Sequence, residues 1–376
     1  MKDIRSVLPN IASDTTGAAA ALFEAEGLTI IHDAAGSHEV FVTFEEAREL
    51  ENRRTVSSRL TQLEAVTGDD GRLLAAIEAE CEDDPPGFVA IIGSPVPFTI
   101  GADLDGLAAE VEFSTNVPAF GVSCGAFEPY DKGAGEAIRK LIEKVALPAK
   151  EEKEFDLNLL GLTPLDYSSA ELAALIRELA AVGFEKVNPV AMDAGFEVFQ
   201  RASRAKASLV VSMSGLPAAR MLKNRYGIPY VIGAPVDAVS AAGIAREISA
   251  AGDAAQPLPR GEGGVLVMGE AVFAKTLACR LSGLTGLPAA AGIVSSYDRE
   301  VLPRVEHVIL DTEDKIRREL KKGYSIIVGD PLYKLLLPKD SPARFVERPH
   351  RAQSGRLYPP TEKTLDELVT ELKEKL

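Results

Sequence analysis

The residue types best suited to chemistry in this sequence sit where short apolar runs end. Ser94 follows Phe88-Val89-Ala90-Ile91-Ile92-Gly93, Ser212-Met213-Ser214-Gly215 follows Ser208-Leu209-Val210-Val211, and Glu270 follows Gly264-Val265-Leu266-Val267-Met268-Gly269. Open α/β sheets take ligands beyond such strand ends, where the N–H groups of a following helix attract negative charge. Met213 adds a soft sulfur that can approach a metal or a macrocycle, although packing is the simpler role for it. Arg348-Pro349-His350-Arg351 supplies two guanidiniums and an imidazole. Arginine grips carboxylates in a bidentate fork, and an imidazole can bind a metal or pass a proton. The only cysteines, Cys81, Cys124 and Cys279, form no CxxC pair, so neither a disulfide framework nor a zinc site is signalled. Cys124, after the run Val117 to Ser123, reads as a small buried hydrophobe, and Cys279, beside Leu277 and Leu281, as core. His32 and His38 fall in a loop and read as hydrogen-bonded structural residues.

Other signatures are missing. No GxGxxG joins a strand to a helix, and there is no GxxxxGK[ST], HExxH or GxSxG. The net charge of -15, from 41 basic and 56 acidic residues, argues against a nucleic-acid or anionic-membrane binder. No apolar run reaches the length of a membrane span, and the first residues lack the apolar core of a signal peptide. A cytoplasmic location is expected, with the thiols reduced.

The elements that must position these residues follow a regular alternation. The continuous apolar runs at Phe88, Leu157, Ser208, Gly264 and Ser325 read as strands buried on both faces, as parallel sheets require. Between them lie helical periods. Leu172, Leu175, Ile176 and Leu179 share one face, with Ser168 or Ser169 as the cap and Gly183 beyond the end. Ala271 to Leu281 reads as another helix. This rhythm means βαβ units. The chain, 376 residues long, divides into three Rossmann-like domains at roughly 1–150, 151–256 and 257–376, with Gly252 to Gly264 as a linker and a charged helix from Thr361 to Leu376.

Ordered short matches along the chain carry a family resemblance. Ser13-Asp14-Thr15-Thr16-Gly17-Ala18 and Ile30-Ile31-His32-Asp33-Ala34-Ala35-Gly36-Ser37 resemble the opening of nitrogenase component 1 chains, in which a cysteine precedes Gly-Ala and a His-Gly-Pro-x-Gly-Cys loop follows. Ser94 to Asp103 is similar to the family's Thr-Cys-x-x-x-x-Ile-Gly-Asp-Asp segment. Asn158-Leu159-Leu160-Gly161, Tyr226-Gly227-Ile228-Pro229 and Arg348-Pro349-His350 with Ser354-Gly355 resemble its later strand, turn and closing segment.

That resemblance implies three Rossmann-like domains with parallel sheets around a central cleft. It implies a homodimer, or a heteromer with a paralogous chain, reduced by a P-loop iron–sulfur protein and acting on a bound metallocofactor or tetrapyrrole. The departures matter as much. The family's three cluster cysteines fall on Ser13, Ser37 and Pro95, and its cofactor cysteine near Val211 to Met213. Iron–sulfur clusters need thiolates, so no cluster is expected on this chain alone. A metal-binding family histidine falls at about His350. The resemblance thus places Ser212, Met213, Arg348, His350 and Arg351 around a cofactor. Two functions follow from it: an oxidoreductase subunit, or a non-redox binding, carrier or scaffold protein for a metallocofactor or its precursor.

Overall fold

The computed structural model describes residues 5–36, 41, 46, 54–250, 264–301, 306–355, 357–358 and 367–370. Ser37, His38, nearly all of the Gly252 to Gly264 linker and most of the 361–376 tail lie outside the described residues.

Thirteen strands among the described residues form three wholly parallel sheets. The first, in the order β2-β1-β3-β4, contains β1 (Leu28–Ile31), β2 (Thr55–Ser57), β3 (Val89–Ile92) and β4 (Ala119–Val122). The second, in the order β6-β5-β7-β8, contains β5 (Phe155–Leu160), β6 (Val187–Pro189), β7 (Ala205–Val210) and β8 (Tyr230–Ile232). The third, in the order β11-β10-β9-β12-β13, contains β9 (Val265–Gly269), β10 (Ala289–Ile293), β11 (Glu306–Ile309), β12 (Ile326–Gly329) and β13 (Arg344–Glu347). All five expected strands are present, joined by two further interior strands, β1 and β10, and by the edge strands. The central strands β3, β9 and β12 are buried at every position, because helices cover both faces of a parallel sheet.

The helix at Ser169–Ala181 starts on a capping box: Ser168 accepts the Glu171 N–H and Glu171 reaches back to the Ser168 N–H. Gly183 and Gly227 adopt left-handed backbone after their helices, as C-terminal glycines do. The Tyr130–Val145 helix crosses the Asp14–Leu22 helix at glycines on both sides. A Cβ on Gly133 would lie 1.8 Å from the Asp14 carbonyl oxygen, and one on Gly17 1.9 Å from that of Tyr130. Only glycine permits this approach, and the approach brings the start of the Tyr130–Val145 helix against the other two sheets.

The N-terminal segment runs to the third sheet. Leu8 is buried with Leu332 and Tyr333, and the Ala12 N–H donates to the Ala352 carbonyl at 2.7 Å.

Candidate functional site

In each sheet the strand order reverses once: between β1 and β3, β5 and β7, and β9 and β12. Such a switch point opens a crevice at the strand carboxyl ends. The three strand ends singled out in the sequence are these three places. At the first, Ser94 Oγ donates to the His32 carbonyl at 2.9 Å. At the second, Ser212 Oγ donates to the Gly161 carbonyl at 2.6 Å. Gly161 has φ +92, and a Cβ there would meet Ser212 Oγ at 2.7 Å, so glycine keeps this crevice narrow. At the third, Glu270 and Asp330 cap the helical turns that follow β9 and β12.

The second and third crevices meet. The Met213 N–H, expected to be open to a ligand, donates to Glu270 Oε1 at 2.8 Å. The other carboxylate oxygen accepts from Val272 and Phe273 N–H, both at 3.0 Å. A buried N–H left unpaired is costly, and here the chain's own carboxylate satisfies it. Burial and the charge of Asp166 push the Glu270 carboxyl up to about 8, against the pull of those three N–H donors.

His350 enters from the third sheet, and its own N–H donates to Asp330 Oδ2 at 2.8 Å. Its Nε2 lies 3.2 Å from Asp166 Oδ1 and 3.4 Å from the Tyr130 hydroxyl. Tyr130 itself donates to Asp166 in a short bond, and Thr163 Oγ1 donates to the other Asp166 oxygen at 3.0 Å. Burial and the charges of Asp166, Asp131 and Glu270 push the Tyr130 phenol well above its ordinary value, so it stays a neutral donor. One knot therefore joins the first-sheet helix, the loop after β5 and the segment after β13.

Arg348 lies beside the knot. Its Nη2 reaches Glu171 Oε1 at 3.1 Å, and its guanidinium stacks 3.8 Å from the centre of the Phe273 ring. At 7% exposure this is an internal ion pair, so an anionic ligand would compete with Glu171 for the arginine. Arg351 opens the short turn after His350 and is half-buried. Met213 is buried against Leu216 and its neighbours. Ser212 stays committed to Gly161, and Ser94 to His32.

Around this knot, four buried polar atoms have no protein partner: Asp131 Oδ1, Ser214 Oγ, Arg348 Nε and His350 Nδ1. Asp131 bonds Ser296 through its other oxygen, and burial pushes its carboxyl up to about 6. Asp166, Asp131 and Tyr130 carry no sequence motif. Their only signal was a polar residue next to an aromatic at the start of a helix, which many surface helices share.

The residues that stand at the family's cluster positions lie at helix starts where they are described. Ser13 caps the Asp14–Leu22 helix and pairs with Pro129, and Pro95 is the first residue of the Pro95–Ile100 helix. Neither offers a thiolate. Beside them Val96, Phe98 and Ile100 are exposed, and Phe98 meets the exposed Phe127 edge to face at 5.8 Å. Leu63 and Val66 are exposed on the neighbouring Gln62–Thr67 helix. Cys124 is buried, with its thiol pushed up by burial, and Cys279 is half-buried against the core. His32 is buried, its Nε2 3.9 Å from Asp70, and burial pulls its imidazole down. Among the described residues, no three His, Cys, Asp or Glu side chains gather as a metal cage, and no helix is long and apolar enough to cross a membrane.

Three parallel sheets, each with one switch point, define the class of α/β fold, and the comparisons with known proteins name it. Residues 13–274 match the family model of nitrogenase component 1 type oxidoreductases, and the chain belongs to that family. It is similar to the nitrogenase iron-molybdenum cofactor biosynthesis protein NifE of Rhodobacter capsulatus, 28% identical over 190 residues, which is 48% of this chain and 38% of that protein. NifE of Clostridium pasteurianum is 26% identical over 188 residues, 48% of this chain and 39% of that protein. The nitrogenase molybdenum-iron protein alpha chain of Methanosarcina barkeri is 22% identical over 201 residues, 52% of this chain and 37% of that protein. The matched stretches span under two fifths of those relatives. A solved structure titled "Nitrogenase Cp1 at pH 6.5" shares the fold, with a TM-score of 0.70 at 13% identity over 100% of this chain and 94% of that one.

Proposed function

We propose that this chain is a non-redox binding or scaffold subunit that holds a preassembled metallocofactor, or its precursor, at the junction of its three sheets. The carrying observation is the set of buried, unpartnered atoms there, His350 Nδ1 above all. Native structures leave few such atoms, and each calls for a reason. His350 lies beyond the matched residues 13–274, so its role rests on this geometry and on the sequence resemblance. A single imidazole is not a chelating site for a bare ion. It suits one donor to a metal whose other ligands arrive with it, and a bound cofactor would supply that metal as a Lewis acid. Arg348 and Arg351 lie close in sequence to the group meeting such a ligand, and Met213, next to Ser212, is tied to the third sheet through Glu270. Because Glu171 already holds the Arg348 guanidinium, a metal-centred ligand fits better than a carboxylate-rich tetrapyrrole.

The first switch point fits no interface cluster, since Ser13 and Pro95 lack thiolates. The redox reading, with electrons from a P-loop iron–sulfur reductase, therefore needs a partner chain that brings the cysteines. The exposed Val96, Phe98, Ile100 and Phe127 favour a second related chain on this face. The names of the NifE relatives favour the biosynthetic role.

Anaerobic purification with metal and sulfide analysis tests this reading, followed by titration with a metallocofactor extract and a carboxylated metallo-tetrapyrrole. The expected result is little iron on the isolated chain, and optical binding that His350→Ala reduces at least tenfold. Near-stoichiometric iron and sulfide after reconstitution of the isolated chain with those ions alone, or binding indifferent to His350, refutes it.

A further inference from the structure

We infer that Asp166 and Tyr130 are positioning residues that hold His350 as its Nε2–H tautomer, so that the Nδ1 lone pair is presented bare to a metal-centred or proton-bearing ligand. The inference rests on the proposed function only in taking His350 as the group that meets the ligand.

The proton count around Asp166 leads to this tautomer. An ionised carboxylate accepts and does not donate. Tyr130, a neutral phenol, spends its proton on Asp166, and Thr163 spends its proton on the second oxygen. The imidazole nitrogen 3.2 Å from Asp166 must therefore carry hydrogen, since a bare Nε2 would set lone pair against lone pair. A neutral ring with hydrogen on Nε2 has none on Nδ1. That nitrogen is buried and has no protein partner. The main-chain bond from the His350 N–H to Asp330 holds the residue from the other side. A carboxylate that sets the tautomer of a working histidine is a recurrent device in metal sites and acyl-transfer triads. Here the orienting groups come from the loop after β5 and from the start of the Tyr130–Val145 helix. His350 is therefore held in working form only while all three parts are docked.

The test is long-range ¹H–¹⁵N correlation on protein labelled at its 4 histidines, at a pH of about 8 where an ordinary imidazole is neutral, with His350 assigned by His350→Gln. In wild type, the His350 Nδ1 resonance is expected in the unprotonated range, with the Nε2–H form in at least about tenfold excess. In Asp166→Asn the amide can donate to Nε2, and the excess is expected to vanish or reverse while the signals of His32 and His307 stay in place. Tyr130→Phe is expected to lessen the excess without reversing it. Hydrogen on Nδ1 in wild type overturns the inference, and so does an unchanged tautomer in a folded Asp166→Asn. If that variant does not fold, the wild-type measurement decides alone. No ligand is needed. A correct tautomer with no cofactor binding therefore sinks the proposed function and leaves the positioning intact.

Discussion

The N-terminal strap offers a quantitative test of how the first and third sheets are held together. Glu313, at the start of the Glu313–Glu319 helix and only 5% exposed, collects the N–H groups of Ser6, Val7 and Leu8 at 3.0, 2.9 and 3.1 Å, and the Ser6 hydroxyl at 2.9 Å. Arg317 adds a guanidinium at 2.8 Å. Glu313→Ala removes the common acceptor of three backbone donors. Hydrogen bonds to a charged group contribute roughly 1.5–3 kcal/mol each and are not additive. Counting only two at the lower figure gives about 3 kcal/mol, a shift of about a hundredfold in the open population of the strap. Amide exchange of residues 6–8 at neutral pH, read by mass spectrometry, should accelerate by that order, with exchange in β9 unchanged. There is also a pH signature. Burial pushes the Glu313 carboxyl up, but the N–H groups and Arg317 outweigh it and hold it below the ordinary glutamate value of 4.5. Its folded-state value is lowered, so its stabilisation is present above about pH 4.5 and fades as the pH falls from there. Wild type should lose strap protection on acidification, and Glu313→Ala should have little left to lose. If exchange at residues 6–8 changes less than threefold in the variant, the carboxylate does not hold the strap.

Glu270 should act with the opposite sign. Its folded value is raised from 4.5 to about 8, so its contribution is fully present below about pH 4.5 and is lost as the pH rises through about 8. Wild type should lose more thermal stability than Glu270→Gln between about pH 5.5 and 8.5, and parallel losses would refute this. Gly133→Ala forces a Cβ to 1.8 Å from a carbonyl oxygen and should cost about 3 kcal/mol or prevent folding. Gly283→Ala is a contrast, at an exposed position of the Ala271–Thr285 helix with open space around it, and should raise stability by about 0.5–1 kcal/mol. Replacing Phe98 and Phe127 with serine should convert a dimer to monomer in sedimentation while leaving the melting of the isolated chain within a few degrees. A wild-type monomer at tens of micromolar, with no related chain bound, would argue against an interface on this face.

By itself the sequence determined the class of fold and the location of the strand ends at its switch points. Short continuous apolar runs that end in glycine or serine read as strands buried on both faces, and small or acidic residues after them mark where helices begin. That reasoning reached Ser94, Ser212 and Glu270, and all three stand at switch points. Thiolate chemistry was equally legible, because a serine or proline in a ligand's place excludes a thiolate wherever the chain folds. The edge strands β2, β6 and β8 were less legible, being only three residues each. Only tertiary structure decided what the polar groups do. Arg348 looked available and is paired with Glu171, 177 residues away in the chain. The Met213 N–H looked open and belongs to Glu270, 57 residues on. Asp166 and Tyr130 meet His350 across 184 and 220 residues. Periodicity reports which face of an element is buried. It carries no information about which buried polar atom will meet which across a domain junction, and here those meetings decide whether an arginine is free, which tautomer a histidine holds and which atoms remain unpaired.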